Sequence, residues 1–125
     1  LAYTMAKFTM SMCVLGMAEE LKPDGIAVNG LWPRTAIATA AVKNILGGEE
    51  LMNISRKPEI MADAAYEIFN KNSEDFSGNF CIDDLVLHDA GVKDFSHYAD
   101  VPFDQLALDF FLPDETPLPD EIKNS

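Results

Sequence analysis

Four residues near the start, Lys22-Pro23-Asp24-Gly25, constrain the fold more than any other feature. Proline cannot continue a helical hydrogen-bond ladder, and glycine accepts the positive φ that turns the chain. Before them, residues 3–22 hold good helix formers such as Met5, Ala6, Met10, Leu15, Ala18 and Glu19 and no proline, which predicts a helix. After them, Ile26-Ala27-Val28-Asn29-Gly30-Leu31-Trp32 is a short apolar run closed by Pro33. Such a run suits a buried strand of a parallel sheet over 26–32. Helix, tight turn and strand in succession are the mark of an α/β architecture.

The first helix is apolar on more than one face. Met5, Phe8, Met12 and Leu15 form one stripe, and Met10, Val14 and Met17 carry it round the cylinder. That pattern predicts burial on two sides, one against a sheet and the other against either a second subunit or the protein's own interior. Further on, residues 36–46 are alanine-rich and read as a helix up to Gly47-Gly48, with another short helical turn over 49–53. Pro58 then opens a helix in which Ile60, Ala64 and Ile68 recur every four residues, the pattern of a helix covering a sheet. Residues 79–82 read as a second strand. A parallel pair of strands needs more neighbours before it is independently stable, so the sheet is expected to be incomplete within this chain.

Composition narrows the class. The net charge of −12 is uneven: ten acidic residues stand against seven basic ones up to Ile82, and eleven against two from Asp83 onward. A surface of that sign repels phosphate backbones, so neither nucleic acid nor an anionic membrane is an expected partner. The longest apolar stretch, 10–18, is about half of the roughly 20 residues that span a bilayer. Cys13 and Cys81 lie in a helical and a strand pattern with no C-x-x-C unit, which predicts buried reduced thiols and an intracellular protein. His88 and His97 are nine apart and fit no ligand spacing, so they are expected on the surface or in loops rather than on a metal. The chain opens on Leu1 and runs straight into the helical pattern, which predicts that it begins inside a longer protein. Residues 100–111 read as an extension that lays Val101, Phe103, Leu106, Leu108, Phe110 and Phe111 on the domain. The segment 113–125, rich in proline and acid, reads as a tail or linker after a first unit of 1–112.

The chemistry begins at Tyr3 and Lys7. Four residues apart, they share one face of a helix. A phenol has an ordinary pKa of about 10 and becomes a usable proton-transfer group when an ammonium lies nearby. That chemistry suits exchange of a proton with a hydroxyl or carbonyl oxygen while another group carries the hydride. Alone, the spacing is common by chance; the order of the elements downstream of it makes it specific. The pair opens an apolar helix, Lys-Pro-Asp-Gly ends it, a strand with Asn29 comes next, and Pro33 stands four residues after that asparagine.

This ordered set resembles the second half of the short-chain dehydrogenase/reductase family, with its Y-x-x-x-K pair and N-x-x-x-P-G strand end. Pro58-Glu59-Ile60-Met61-Ala62-Asp63 is similar to the family's helix start, and Ser77-Gly78-Asn79-Phe80-Cys81-Ile82-Asp83 to its last strand. The resemblance implies the C-terminal part of a Rossmann-like, doubly wound parallel sheet, with the N-terminal dinucleotide-binding half absent from this chain. It implies NADP or NAD as cofactor and a small carbonyl or alcohol substrate, which could be lipid-like. Tyr3 would be the catalytic acid/base, and Lys7 would bind the nicotinamide ribose and support the tyrosine. Pro33, Arg34, Ala36, Ile37 and Thr39 would lie along the nicotinamide, with backbone groups near Ala36 or Ile37 meeting its carboxamide. A peroxisomal or mitochondrial location is a further implication; the two apolar faces of the helix over 3–22 are what make a homo-oligomer through it an open expectation. Two departures stand out: Arg34 replaces the family's glycine, and Asp84-Leu85 replaces a double glycine after the last strand. Arg34 and the acidic tail leave a second reading open, a non-catalytic interaction or lipid-related scaffold that keeps the half-fold.

Overall fold

The computed structural model describes residues 1–109 and 111–125; Phe110, one of the aromatics of the expected extension, lies outside them. Helix α1 (Ala2–Glu20) stops where Lys22–Asp24 tighten into a 3₁₀ turn with the proline near its start. Gly25 closes the turn at φ 69°, donating its N–H to the Lys22 carbonyl, a conformation that glycine adopts without a Cβ penalty.

Strand β1 is confined to Gly30–Trp32, shorter than the expected 26–32, and pairs in parallel with β2 (Phe80–Ile82), Gly30 opposite Phe80 and Trp32 opposite Ile82. The shortening has a local cause. Before Gly30 side chains take over part of the link between the two segments: the Val28 N–H donates to Ser77 Oγ at 3.0 Å, and Asn29 Oδ1 accepts from the Asn79 N–H at 3.0 Å and from its Nδ2 at 2.9 Å. Asn29 Nδ2 donates in turn to the Phe76 carbonyl at 2.9 Å. Asn29 is thus the clamp that sets the register of the two strands. Gly30 allows a close approach, because a Cβ there would lie 3.0 Å from the Phe80 ring and the ring would have to give way.

The stretch expected as a helix over 36–46 is helical only in its second half, where Val42–Leu46 winds as a π-helical turn. Before it the chain is extended. The Ala36 N–H donates to the Ala107 carbonyl (2.8 Å), the Ala36 carbonyl accepts the Arg56 N–H (2.9 Å), and the Ala38 N–H donates to the Arg56 carbonyl (2.8 Å). Those long-range bonds hold the backbone extended and occupy the Ala36 carbonyl, which a helix starting there would need for its ladder. Helix α2 (Gly48–Asn53) comes next, then α3 (Glu59–Phe69), α4 (Asp83–Asp89) and, inside the expected tail, α5 (Asp120–Lys123).

Helix α3 packs chiefly on α4 rather than over the sheet. Ile60 and Ala64 of α3, Leu87 of α4, Phe95, Tyr98, Phe103 and Leu106 from the irregular chain, and Ile122 of α5 form one buried cluster. The Tyr98 hydroxyl donates to Asp63 Oδ2 at 2.6 Å, and burial with that carboxylate pushes its pKa well above the ordinary phenol value. In α1 only Val14 and Ala18 are buried, while Met5, Met10, Met12, Leu15 and Met17 are exposed. The expected two-sided burial of this helix is therefore not realised within the chain. Cys81 is buried, but Cys13 is exposed, contrary to the reading of both as buried thiols. Among the described residues, no helix is long and apolar enough to cross a membrane.

The core and the bare surface respond differently to truncation. Ile60→Ala, at a fully buried site, is expected to cost about 2–5 kcal/mol. Phe69→Ala, at a position 84% exposed, is expected to change stability by no more than about 0.5 kcal/mol. Urea unfolding midpoints measured on the two variants check the contrast.

Candidate active site

The first turn of α1 and the end of β1 meet at a cavity of about 290 Å³ whose wall includes Tyr3, Lys7, Ser11, Asn29, Trp32, Pro33, Asp109 and Phe111. Helical spacing stacks Tyr3 and Lys7 on one face, and the Lys7 ammonium lies 5.5 Å from the centre of the Tyr3 ring. At that distance the ammonium is within reach of the ring face.

The apolar side of the cavity is aromatic. Phe111 stacks on Tyr3 with ring centres 6.1 Å apart and planes 15° from parallel, and meets Phe8 (5.3 Å, 87°) and Trp32 (6.1 Å, 88°) edge on. An adjoining cleft of about 310 Å³ shares Ser11, Trp32 and Phe111 with it and adds Phe8, Phe80 and Ile82, so that its wall is mostly apolar. Phe111 reaches this place because the chain before it runs beside the loop after β1. Thr35 pairs with Leu108 in an antiparallel bridge, and the Asp109 N–H donates to the Arg34 carbonyl at 2.8 Å.

Of the residues proposed from the sequence, Tyr3, Lys7 and Pro33 come together on the cavity wall, and the other four do not line it. Ala36 has both backbone groups engaged with Ala107 and Arg56, whereas the Ile37 N–H has no hydrogen bond among the described residues. Thr39 is exposed, and its hydroxyl oxygen accepts the Val42 N–H at 3.4 Å at the start of the next helical turn. Arg34 turns its side chain away from the cavity and is almost fully buried.

Arg34 enters a charge cluster that sequence reasoning missed. Its Nε donates to Asp84 Oδ2 at 2.6 Å, and Arg56 Nη1 donates to the same oxygen at 2.7 Å. Asp83 Oδ1 accepts the Arg34 N–H at 2.9 Å and the Asp84 N–H at 2.8 Å. All four residues are buried, and Arg56 Nη2, Asp83 Oδ2 and Asp84 Oδ1 have no hydrogen-bond partner among the described residues. Burial, reinforced by the neighbouring Asp84 carboxylate, pushes the Asp83 pKa up to about 6 against the opposing pull of the Arg34 N–H and the Arg56 charge. The sequence held a signal for this: two acids in tandem at the end of an apolar strand, and an arginine where a small residue was expected. Asp109 and Phe111 were the other omissions, since nothing local in their segment says which loop it runs beside. Among the described residues, no group of three or more His, Cys, Asp or Glu side chains is placed to hold a metal. His97 is exposed, and His88 faces Glu121 with Nε2 at 3.4 Å from Oε2.

A short-chain dehydrogenase from Mycobacterium thermoresistibile superposes with a TM-score of 0.77 at 51% identity, over 92% of this chain and 41% of that one. The homologues of this chain are short-chain dehydrogenases. A structure from Xanthomonas campestris described as a dehydrogenase superposes with a TM-score of 0.79 at 47% identity, over 89% of this chain and 40% of that one. Among curated sequences, hydroxysteroid dehydrogenase-like protein 2 from Bos taurus is 58% identical over 116 residues, and the proteins of that name from Mus musculus and Homo sapiens are 57% and 54% identical. Those matches take in 93% of this chain but only 27%, 23% and 27% of the relatives' own lengths. No protein-family model matches the chain. The fold is that of the corresponding part of a short-chain dehydrogenase, an α/β layer of helices on a small parallel sheet.

The buried acid carries a pH prediction. Asp83 binds its proton more tightly folded than unfolded, so the stability it contributes is present below about pH 4 and is lost as pH rises through about 6. Asp83→Asn, which keeps an oxygen for the Arg34 N–H, is expected to gain on the wild type between pH 4 and pH 7, by about 1–3 kcal/mol at pH 7. Parallel denaturant titrations across that range measure the difference.

Proposed function

We propose that the chain is the catalytic-tyrosine part of an oxidoreductase that interconverts a carbonyl compound and a secondary alcohol with NAD(P). The observation that carries the reading is the Lys7 ammonium 5.5 Å from the Tyr3 ring, at the wall of a cavity that also holds Pro33. The likeness to short-chain dehydrogenases supports it.

The residues present fit a nicotinamide in part. Lys7 supplies donors for ribose hydroxyls, and the Ile37 N–H, rather than the doubly engaged Ala36, is the backbone group left for a carboxamide. The chain has no G-x-G-x-x-G, so the pyrophosphate would be held by residues outside it. When bound, the nicotinamide supplies or takes up the hydride. Tyr3 then donates its phenolic proton to the substrate oxygen in reduction and accepts it back in oxidation. Lys7 places a positive charge where negative charge develops on the phenol oxygen during that transfer. Trp32 and Phe111 exclude water on one side and favour a substrate with an apolar body, which supports a lipid-like carbonyl compound. The bare apolar residues of α1 support its coverage by the rest of the parent protein and by a second copy in a homo-oligomer. Arg34, which motivated the scaffold reading, commits its side chain to a buried carboxylate and leaves the cavity open, which favours the enzyme.

Tyr3→Phe in the full-length protein is expected to lower turnover by about 10²–10⁴-fold while NADP affinity changes less than about threefold; steady-state kinetics and calorimetry read the two, and full retained activity would refute the assignment. The isolated 125-residue chain is expected to show no submicromolar NADP binding by calorimetry, for want of a phosphate loop.

A further inference from the structure

Arg34 sits one residue beyond the cavity wall, yet its polar groups reach three other parts of the chain. Its N–H and Nε are held by Asp83 Oδ1 and Asp84 Oδ2 at the start of α4. Its carbonyl accepts the Asp109 N–H at 2.8 Å, beside Phe111 on the cavity wall. Its Nη2 donates to the Pro117 carbonyl at 2.8 Å, in the segment 113–125. That segment crosses the loop after β1 as a strap. Its far end is seated without Arg34, through the buried Ile122 and through the Phe103 N–H, which donates to the Ser125 carbonyl at 2.9 Å. Its near end turns at Pro113, whose carbonyl accepts the Thr116 hydroxyl at 2.7 Å. Between strap and loop lies a cavity of about 290 Å³, walled in part by Arg34, Leu108, Asp109 and Leu118.

A guanidinium is planar, so fixing Nε on one oxygen and Nη2 on another fixes the orientation of the whole group, which the single ammonium of lysine cannot do. Asp84 is held independently by Arg56, on the same oxygen. The strap therefore bears, through a rigid fork, on the backbone that carries Pro33 and receives Asp109.

We propose that Arg34 is a positioning residue that couples the seat of the 113–125 segment to the shape of the cavity beside Tyr3. This rests on reading that cavity as the substrate site. Two consequences separate it from a merely stabilising role. In the full-length protein, Arg34→Lys keeps the charge but loses the second reach; it is expected to raise the substrate KM at least fivefold with kcat within twofold, whereas simple loss of folded enzyme would lower kcat at unchanged KM. Thr116→Ala loosens the strap without entering the charge cluster. It is expected to raise KM in the wild-type background and to add nothing to Arg34→Lys, since two lesions on one path do not add.

Hydrogen exchange provides a readout independent of turnover. In Arg34→Lys the Thr116 and Asp109 amides are expected to exchange at least fivefold faster while those of α3 are unchanged. Unchanged KM in both variants, effects that multiply, or unaltered exchange at Asp109 would overturn the coupling. Retained activity in Tyr3→Phe would instead sink the reading of the site and leave the exchange result to decide the coupling by itself.

Discussion

One carboxylate, that of Asp84, receives two guanidinium groups on a single oxygen in a place closed to water. Burying three charges costs several kcal/mol per ion, recovered only where geometry and hydrogen bonding are close to complete. Here the geometry joins parts of the chain 22 to 50 residues apart: Arg34 after β1, Arg56 before α3, and the Asp83-Asp84 pair at the head of α4. The loop of the candidate site, the helix that closes the core and the C-terminal strap are located relative to one another through this cluster. Removing the Asp84 carboxylate would leave two buried guanidinium groups without their shared partner, a penalty of about 3–5 kcal/mol. An arginine in a loop position that the resembling family gives to glycine is intelligible on that ground: it trades backbone freedom for a fixed anchorage.

How much of the fold is legible in the sequence depends on the range of the interactions involved. Helix α1, its proline stop, the Gly25 turn and the start of α3 near Pro58 depend on neighbours in sequence and lie where local chemistry puts them, whereas β1 is shorter than its apolar run because its pairing is with residues 50 positions away. The extended run before Val42 reads as helix from sequence because alanine is a good helix former, and its propensity loses to hydrogen bonds with Arg56 and Ala107. Helix α4 begins at Asp83 and Asp84, acids suited to a helix N-terminus; the apolar run before them shows only the end of a strand. Helix α5 is four residues long and exists because Ile122 finds the core, which no window of local sequence reports.

The candidate site divides along the same line. Tyr3 and Lys7 share a helix face by local spacing, but the order of the elements downstream singled them out, and Pro33 was named through the family resemblance that this order carries. Phe111 needed knowledge that residues near 108 run antiparallel to Thr35. Its contact with Tyr3, Phe8 and Trp32 turns a pair of polar groups on an exposed helix into a walled cavity. The acid-rich composition of the last third concealed this, since the apolar residues that matter there stand singly among aspartates. Charge told where the segment is solvated, and a few isolated aromatics decide where it lies.

The burial of Ile122 has a consequence for how the chain acquires its structure. Synthesis proceeds from the N-terminus, and α1 with its turn can form as soon as those residues leave the ribosome. The hydrophobic cluster cannot close at that stage. Its last member is the fourth residue from the end of the described chain, and the Ser125 carbonyl completes the seating of Phe103. The core is thus completed only by the last residues of the segment, and until they are made, part of the apolar surface of α3 and α4 lacks its cover.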